Sequence, residues 1–369
     1  MKKFYASFGL IALFALFSST KAYSLNFTVE PFDIGPGKVV TVKFMVSNAD
    51  PKIDVIELHF NLPSGVYAKG VNPSSTAKQD LEFTSDLEVG SDGEAKFSFK
   101  KSRPAGEYAV GIMADTGIYL FESKGNDSEP YCFFAFDVVC DETVTAGSGE
   151  ITFTDLEDGT YFSSADNTYD SETTPGLFNP VSVEVHDKFP ATISASGFCT
   201  ICPTVGLDVS GVEAYIVTAV EGKTATLTQI QQLSANEGAI IKGDAGKTVE
   251  IPLLSTAKTD VSGNMLTGVT EYTLIDNTSG TIFFLSEGKF KKAAASTYLP
   301  AGKAYLTASI SSAKEFDFIE FDLPGDETSI QGVSENAEQS SVLYNLNGMR
   351  VSKAEKGVYI QNGKKYVVK

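Results

Sequence analysis

Residues 25–48 read LNFTVEPFDIGPGKVVTVKFMVSN, and apolar and polar residues alternate on both sides of the Gly35-Pro36-Gly37 step. A period of two marks strands with one buried face, and the Gly-Pro-Gly step predicts a turn joining two such strands. Working outward, the same texture returns in IDVIELHFNLP (53–63), EAKFSFKK (94–101), GEYAVGIMA (106–114), YCFFAFDVV (131–139), GEITFTDL (149–156) and FNPVSVEVHD (178–187). Short strands separated by Gly, Pro, Asn and Asp, with no sustained helical period, predict an antiparallel β-sandwich over residues 23–187. Thr-rich alternation and Gly-centred turns continue from PATISASGFCTIC (190–202) to YLPAGKAYL (298–306). They predict a second β-sandwich or barrel-like module over residues 188–323, so the expected fold class is all-β.

The whole chain has 369 residues, enough for two or three domains. Apolar residues at 42% and charged residues at 21% exclude wholesale disorder. A net charge of −18 argues against nucleic acid, because phosphate binding needs a positive field. Trp is absent and there are two His, which thins the stock of stacking platforms, metal ligands and acid/base groups.

The two ends carry address-like texts. Residues 1–22, MKKFYASFGLIALFALFSSTKA, have a basic start (Lys2, Lys3), an apolar run and small residues before a cut. The run is shorter than the roughly 20 residues a bilayer needs, so a signal peptide is expected, with no transmembrane segment in the mature chain. Residues 324–341, PGDETSIQGVSENAEQSS, hold too few bulky apolar groups to offset chain entropy and are expected to be a flexible linker. From Val342 the text turns basic, with Arg350, Lys353, Lys356, Lys364, Lys365 and Lys369 against Glu355 alone. Asn347-Gly348 and Asn362-Gly363 are hairpin-turn dipeptides, so residues 342–369 predict a small antiparallel β unit of three or four strands.

GDAGKT (243–248) lacks the first glycine of a phosphate loop and is followed by strand text where a helix is required, so it reads as a polar turn. There is no G-x-S-x-G and no H-E-x-x-H. His59 and His186 sit in strand text; neighbouring strand residues face opposite ways, so His186 and Asp187 cannot act as a catalytic pair. Cys132, Cys140, Cys199 and Cys202 permit two disulfides with three connectivities, with buried thiols and a metal site as alternatives. Cys132 and Cys140 in one straight strand would lie roughly 26 Å apart, so their pairing would need a bend. Cys199-Thr-Ile-Cys202 has redox spacing but lacks the helix that such chemistry uses.

Between Asp141 and Asp187 there is no Lys or Arg, while Asp141, Glu142, Glu150, Asp155, Glu157, Asp158, Asp166, Asp170 and Glu172 accumulate. The choice is between a structural Ca²⁺ site and a solvated acidic rim; the text misses the alternating calcium loop, which favours the rim and no cofactor. Tyr161, Phe162 and Tyr169 are candidate sugar-stacking platforms, against core or loop packing.

Three resemblances follow from these residues. The tail pattern Y-N-L-x-G-x-R-V…K-G-V-Y-I-x-N-G-K-K, carried by Tyr344, Gly348, Arg350, Val351, Gly357, Tyr359, Asn362, Gly363 and Lys364, resembles the C-terminal sorting domain of the Bacteroidetes type IX secretion (Por) system. That implies passage across the outer membrane by the secretion machinery, with tail removal and surface attachment or release. PGKVVTVKFMVSN, IELHFNLPSGV and the late FFAFDVV…GSGEITFTD resemble cohesin-like domains, jelly-roll sandwiches that bind protein modules or carry extracellular assemblies. The ordered blocks S-G-F-x-T, V-x-A-Y-I-V, A-I-I-K-G and L-P-A-G-K-A-Y-L resemble a β module of secreted Bacteroidetes proteins with no chemistry tied to it. The resulting expectation is an exported, non-catalytic cell-surface or extracellular protein, acting in adhesion, scaffolding, or glycan or protein binding through the first sandwich. The alternatives are a surface polysaccharide hydrolase with an unrecognised carboxylate pair, and a structural surface-layer or fimbrial component.

Overall fold

The computed structural model describes residues 24–322, except 76, 86, 88–95, 102–106, 116–117, 122–127, 155–158 and 309–317. It also describes strand backbone at 343–345, 350–351, 357–361 and 364–368. The signal peptide expected at 1–22, the linker expected at 324–341, and Asp155, Glu157, Asp158, Gly348, Asn362 and Gly363 lie outside the described residues.

Among the described residues every regular element is a β-strand. The first module is a sandwich of two sheets. One has four strands in the order Asn26–Thr28, Val40–Ser47, Tyr131–Cys140 and Val66–Ala68. The other runs Phe32–Ile34, Val181–Val185, Gly147–Phe153, Val55–Asn61, Tyr108–Met113, Lys96–Lys101 and Gln79–Asp80, with the Tyr161–Ser163 and Thr168–Tyr169 hairpin attached to Val55–Asn61. Alternation sets the faces: Ile56, Leu58 and Phe60 are fully buried, and Glu57 and His59 between them face outward.

The core between the sheets is built from aromatic rings. Phe44, Phe60, Phe99, Phe133, Phe134 and Phe136 are all at most 2% exposed, and Phe99 and Phe136 approach to 4.9 Å between centroids. Both Phe133 and Phe134 point inward although they are consecutive. Phe44 faces Phe134 while Met45 faces Cys132, so Phe133 is the extra residue of a β-bulge.

The turn expected across Gly35-Pro36-Gly37 is present, closed by the Lys38 N–H to the Gly35 carbonyl at 3.0 Å, and it sends its two flanking strands to different sheets. Phe32–Ile34 pairs in parallel with Val181–Val185, whereas Val40–Ser47 pairs with Asn26–Thr28 and Tyr131–Cys140 in the other sheet. The glycines also let the second module press close. A Cβ on Gly35 would meet the Lys188 carbonyl oxygen at 2.2 Å, and one on Gly37 the Val205 side chain at 2.2 Å.

The second module contains a nine-stranded sheet in the order Phe198–Ile201, Ala239–Lys242, Glu213–Glu221, Thr224–Gln229, Phe318–Asp322, Lys289–Lys292, Ile282–Ser286, Lys303–Thr307 and Leu266–Val269. Three two-stranded ladders complete it, one of them Phe189–Thr192 with Thr248–Ile251. Its core includes Ile216, Ile230, Leu233, Ile241 and Ile251, all fully buried and clustered apart from the first core. Residues 243–247 are the turn between Ala239–Lys242 and Thr248–Ile251, as the polar-turn reading of GDAGKT expects.

The C-terminal residues form a separate compact unit. Its four antiparallel strands lie in the order Arg350–Val351, Leu343–Asn345, Gly357–Gln361 and Lys364–Val368. Tyr344, Arg350, Gly357, Tyr359 and Lys364 all fall on these strands.

Candidate functional site

The two outer faces of the first sandwich differ. On the four-stranded sheet, Thr41 and Asp137 are cross-strand partners pointing away from the core, and the Thr41 hydroxyl donates to Asp137 Oδ1 at 2.7 Å. The second module covers them: the Ala301 N–H donates to Thr41 Oγ1 at 2.9 Å, and the Tyr272 N–H to Asp137 Oδ2 at 3.0 Å. Lys69 Nζ reaches the Thr270 carbonyl and Glu271 at 2.9 and 2.8 Å, while Lys43 Nζ lies 5.1 Å from the centre of the Tyr272 ring. Burial pushes the Asp137 carboxyl above its ordinary value against these hydrogen bonds. The Lys69 hydrogen bond and charge hold Glu271 below its own. A groove of about 460 Å³ beside this contact brings Asp137, Glu271, Asp80 and Glu82 together with Tyr272 and Lys69.

A second groove, of about 540 Å³, lies where the Gly37-Lys38 and Gly302-Lys303 steps meet. A Cβ on Gly302 would stand 2.6 Å from the Val39 carbonyl oxygen, which sets how closely the two segments approach. Lys38, Lys303, Asp33, Thr200 and Cys199 line it. Burial, then the charge of Lys303, lowers the Lys38 ammonium from 10.5 to about 8. Burial pushes Asp33 up, but hydrogen bonds to its Oδ2 from Thr192 and Thr248, with the charge of Lys38, outweigh this and hold it below the usual Asp value.

The larger sheet's outer face carries His59. Its Nε2 is 3.1 Å from Glu57 Oε1 and its Nδ1 is 3.7 Å from Glu107 Oε1; Nδ1 is buried without a hydrogen bond. The Thr160 hydroxyl is spent on the His59 backbone N–H and C=O. Beside His59, Ala109 and Gly111 leave the sheet low, and Met113 ends the strand 54% exposed.

His186 lies just past the strand Val181–Val185 rather than within one, and its Nδ1 meets Glu250 Oε1 across the modules at 3.0 Å. Its Nε2 is buried without a partner. No disulfide links the four cysteines. Cys132 and Cys140 stand at opposite ends of one strand, as the spacing argument against their pairing expects. Cys199 lies in the strand Phe198–Ile201, and burial pushes Cys202 up to about 11 and Cys140 up to about 12, which leaves them protonated and unreactive.

Of the candidate stacking platforms, Phe162 serves the core and Tyr169 its edge, while Tyr161 is half-buried and hydrogen-bonded to the outward-facing Glu57. Phe162 is fully buried and stacks on Phe178 with centroids 5.9 Å apart, and the Tyr169 hydroxyl donates to the buried Asp50. In the acidic stretch Asp166 pairs with Lys52, and Asp170 accepts the N–H groups of Glu172 and Thr173. Among the described residues no group of three or more His, Cys, Asp or Glu could hold a metal ion, and no helix is long and apolar enough to cross a membrane.

The covered face and the second groove were not legible as sites. The available signal was the twin Gly-Lys step, PGK at 36–38 and AGK at 301–303, each followed by strand text.

No protein-family model and no curated protein matches the chain. Solved structures similar to it include a non-cellulosomal cohesin from Archaeoglobus fulgidus, at 13% identity over 44% of this chain and 91% of that one, TM-score 0.27. The seventh ScaB type I cohesin from Pseudobacteroides cellulosolvens is similar at 14% identity, over 45% of this chain and 94% of that one, TM-score 0.30. The structure of a Coh-OlpA-Doc918 cohesin–dockerin complex from Clostridium thermocellum gives 17% identity over 44% and 99%, TM-score 0.29.

Proposed function

We propose that this chain is an exported surface or secreted protein that works without catalysis, holding a protein or glycan ligand on the first sandwich. The observation that carries this is the asymmetry of that sandwich: the second module staples one outer face, whereas on the other, among the described residues, Met113 is 54% exposed beside the half-buried Ala109 and Gly111. The signal-like start and sorting-like tail support export. Display of the full mature chain on protein and glycan arrays tests the binding reading. A captured ligand that Ala109→Arg and Met113→Glu both release supports it; capture unaffected by both overturns it. Mass spectrometry of the native protein tests export: a start near Tyr23 or Leu25 with loss of material after about Ser341 supports sorting, and a retained Lys369 in the periplasm refutes it.

A polysaccharide hydrolase is the second reading. It is favoured by the first groove, where environment pushes Asp137 up and Glu271 down, as acid and base roles require. Release of reducing ends that Asp137→Asn abolishes would establish it.

A further inference from the structure

Beyond that reading, we propose that the groove between the Gly37-Lys38 and Gly302-Lys303 steps is a binding site for a small organic oxyanion, a carboxylate or phosphate, held between the ammonium groups of Lys38 and Lys303. The groove encloses about 540 Å³, within the range of roughly 300–1,000 Å³ that small-molecule sites occupy. Two cations converge there from different modules, in a chain whose net charge is −18. Among the described residues no carboxylate lies within ion-pair distance of either Nζ.

The titratable groups facing Lys38 are Lys303, Asp33 and Cys199, with Glu30 on the groove lining. None of them neutralises the pair at close range. Asp33 Oδ2 already accepts two threonine hydroxyls. Burial keeps the Cys199 thiol protonated against the pull of both lysines. Glu30 is exposed to water. Thr200 adds a third donor: it is 7% exposed, and its recorded hydrogen bond is one it accepts from the Ala304 N–H, leaving its hydroxyl proton to offer. Phe189, Val39 and Pro300 supply an apolar wall for the body of an organic anion. Two like charges brought together out of water repel each other and lose solvation, and an anion between them relieves both.

Isothermal titration of the full chain with inorganic phosphate and with glucuronate at pH 7, in constant chloride, tests this and separates the two sources. Saturable binding of either probe is expected, weakened about tenfold or more in Lys38→Met and Lys303→Met, the loss of roughly one ion contact. Wild-type affinity should fall as pH rises through about 8, where Lys38 loses its proton. Lys38→Arg, which cannot deprotonate, should keep binding at pH 9. Absence of saturable binding by both probes, or binding that neither methionine variant changes while circular dichroism reports a folded chain, overturns the site. Weaker binding in folded Lys303→Met alone would retain a phosphate or carboxylate contact at Lys303 but overturn the paired-lysine site.

Discussion

An ammonium group held between two modules is short of water, and Lys38 shows the result: its proton is bound less tightly than in the unfolded chain, about 8 against 10.5. Between those values the unfolded chain carries more protons, so stability rises as pH climbs from about 8 to 10.5 and the charge is a burden below that window. Lys38→Met is therefore expected to stabilise the chain at pH 7 by about 1–2 kcal/mol, discounted for the partial exposure of the side chain, and to lose that advantage near pH 10.5. Urea unfolding at both pH values checks it. The same substitution removes the proposed oxyanion contact, so gain of stability and loss of binding should travel together. Gly302 is the companion case. It has φ +73° and would place a Cβ 2.6 Å from a backbone oxygen, whereas Gly246 has φ +74° and open space around it. Gly302→Ala should cost about 2–4 kcal/mol and Gly246→Ala about 1 kcal/mol, read as a clearly larger drop in melting temperature for the first.

At the scale of the element, the hairpin from Ile282–Ser286 to Lys289–Lys292 turns on Glu287-Gly288, and both residues have positive φ, 52° and 74°. A two-residue turn of that kind favours Asn at its first position. Glu287 gives up only an exposed 2.7 Å pair with Lys291, so Glu287→Asn is expected to raise stability by up to about 1 kcal/mol in thermal melts. Glu-Gly is not a turn dipeptide one would single out from text, because the strands on either side impose the φ values. The strand text itself was legible where alternation is regular, as in Ile56, Leu58 and Phe60. YCFFAF hides its bulge, since one extra residue puts Phe133 and Phe134 on the same side. The Gly-Pro-Gly turn forms as read, yet the pairing of its flanking strands was hidden for a related reason. Local composition announces a change of direction at residues 35–37, but partner choice is made by strands far along the chain, Val181–Val185 for one flank and Tyr131–Cys140 for the other.

For the whole molecule, the consequential fact is that two hydrophobic cores share a polar seam. Sequence patterning separates the cores, because each module buries its own apolar periodicity. It could not reveal the seam, whose parts are single residues scattered from Asp33 to Ala301. Thr41 is the centre of that seam: its hydroxyl donates to Asp137 of its own module and accepts from Ala301 of the other. Deleting it leaves a half-buried carboxylate and an N–H each short of one partner, a loss of about 1–3 kcal/mol. Because the cost falls on the join and not on either core, Thr41→Val should separate the unfolding of the two modules rather than lower both together. Scanning calorimetry of the intact chain should show one transition for the two modules, and the variant a resolved shoulder or second peak. A variant that still melts in one transition at the wild-type temperature would show that the apolar contacts around Gly35 and Gly37 are enough to hold the modules as one, and that the hydroxyl is dispensable.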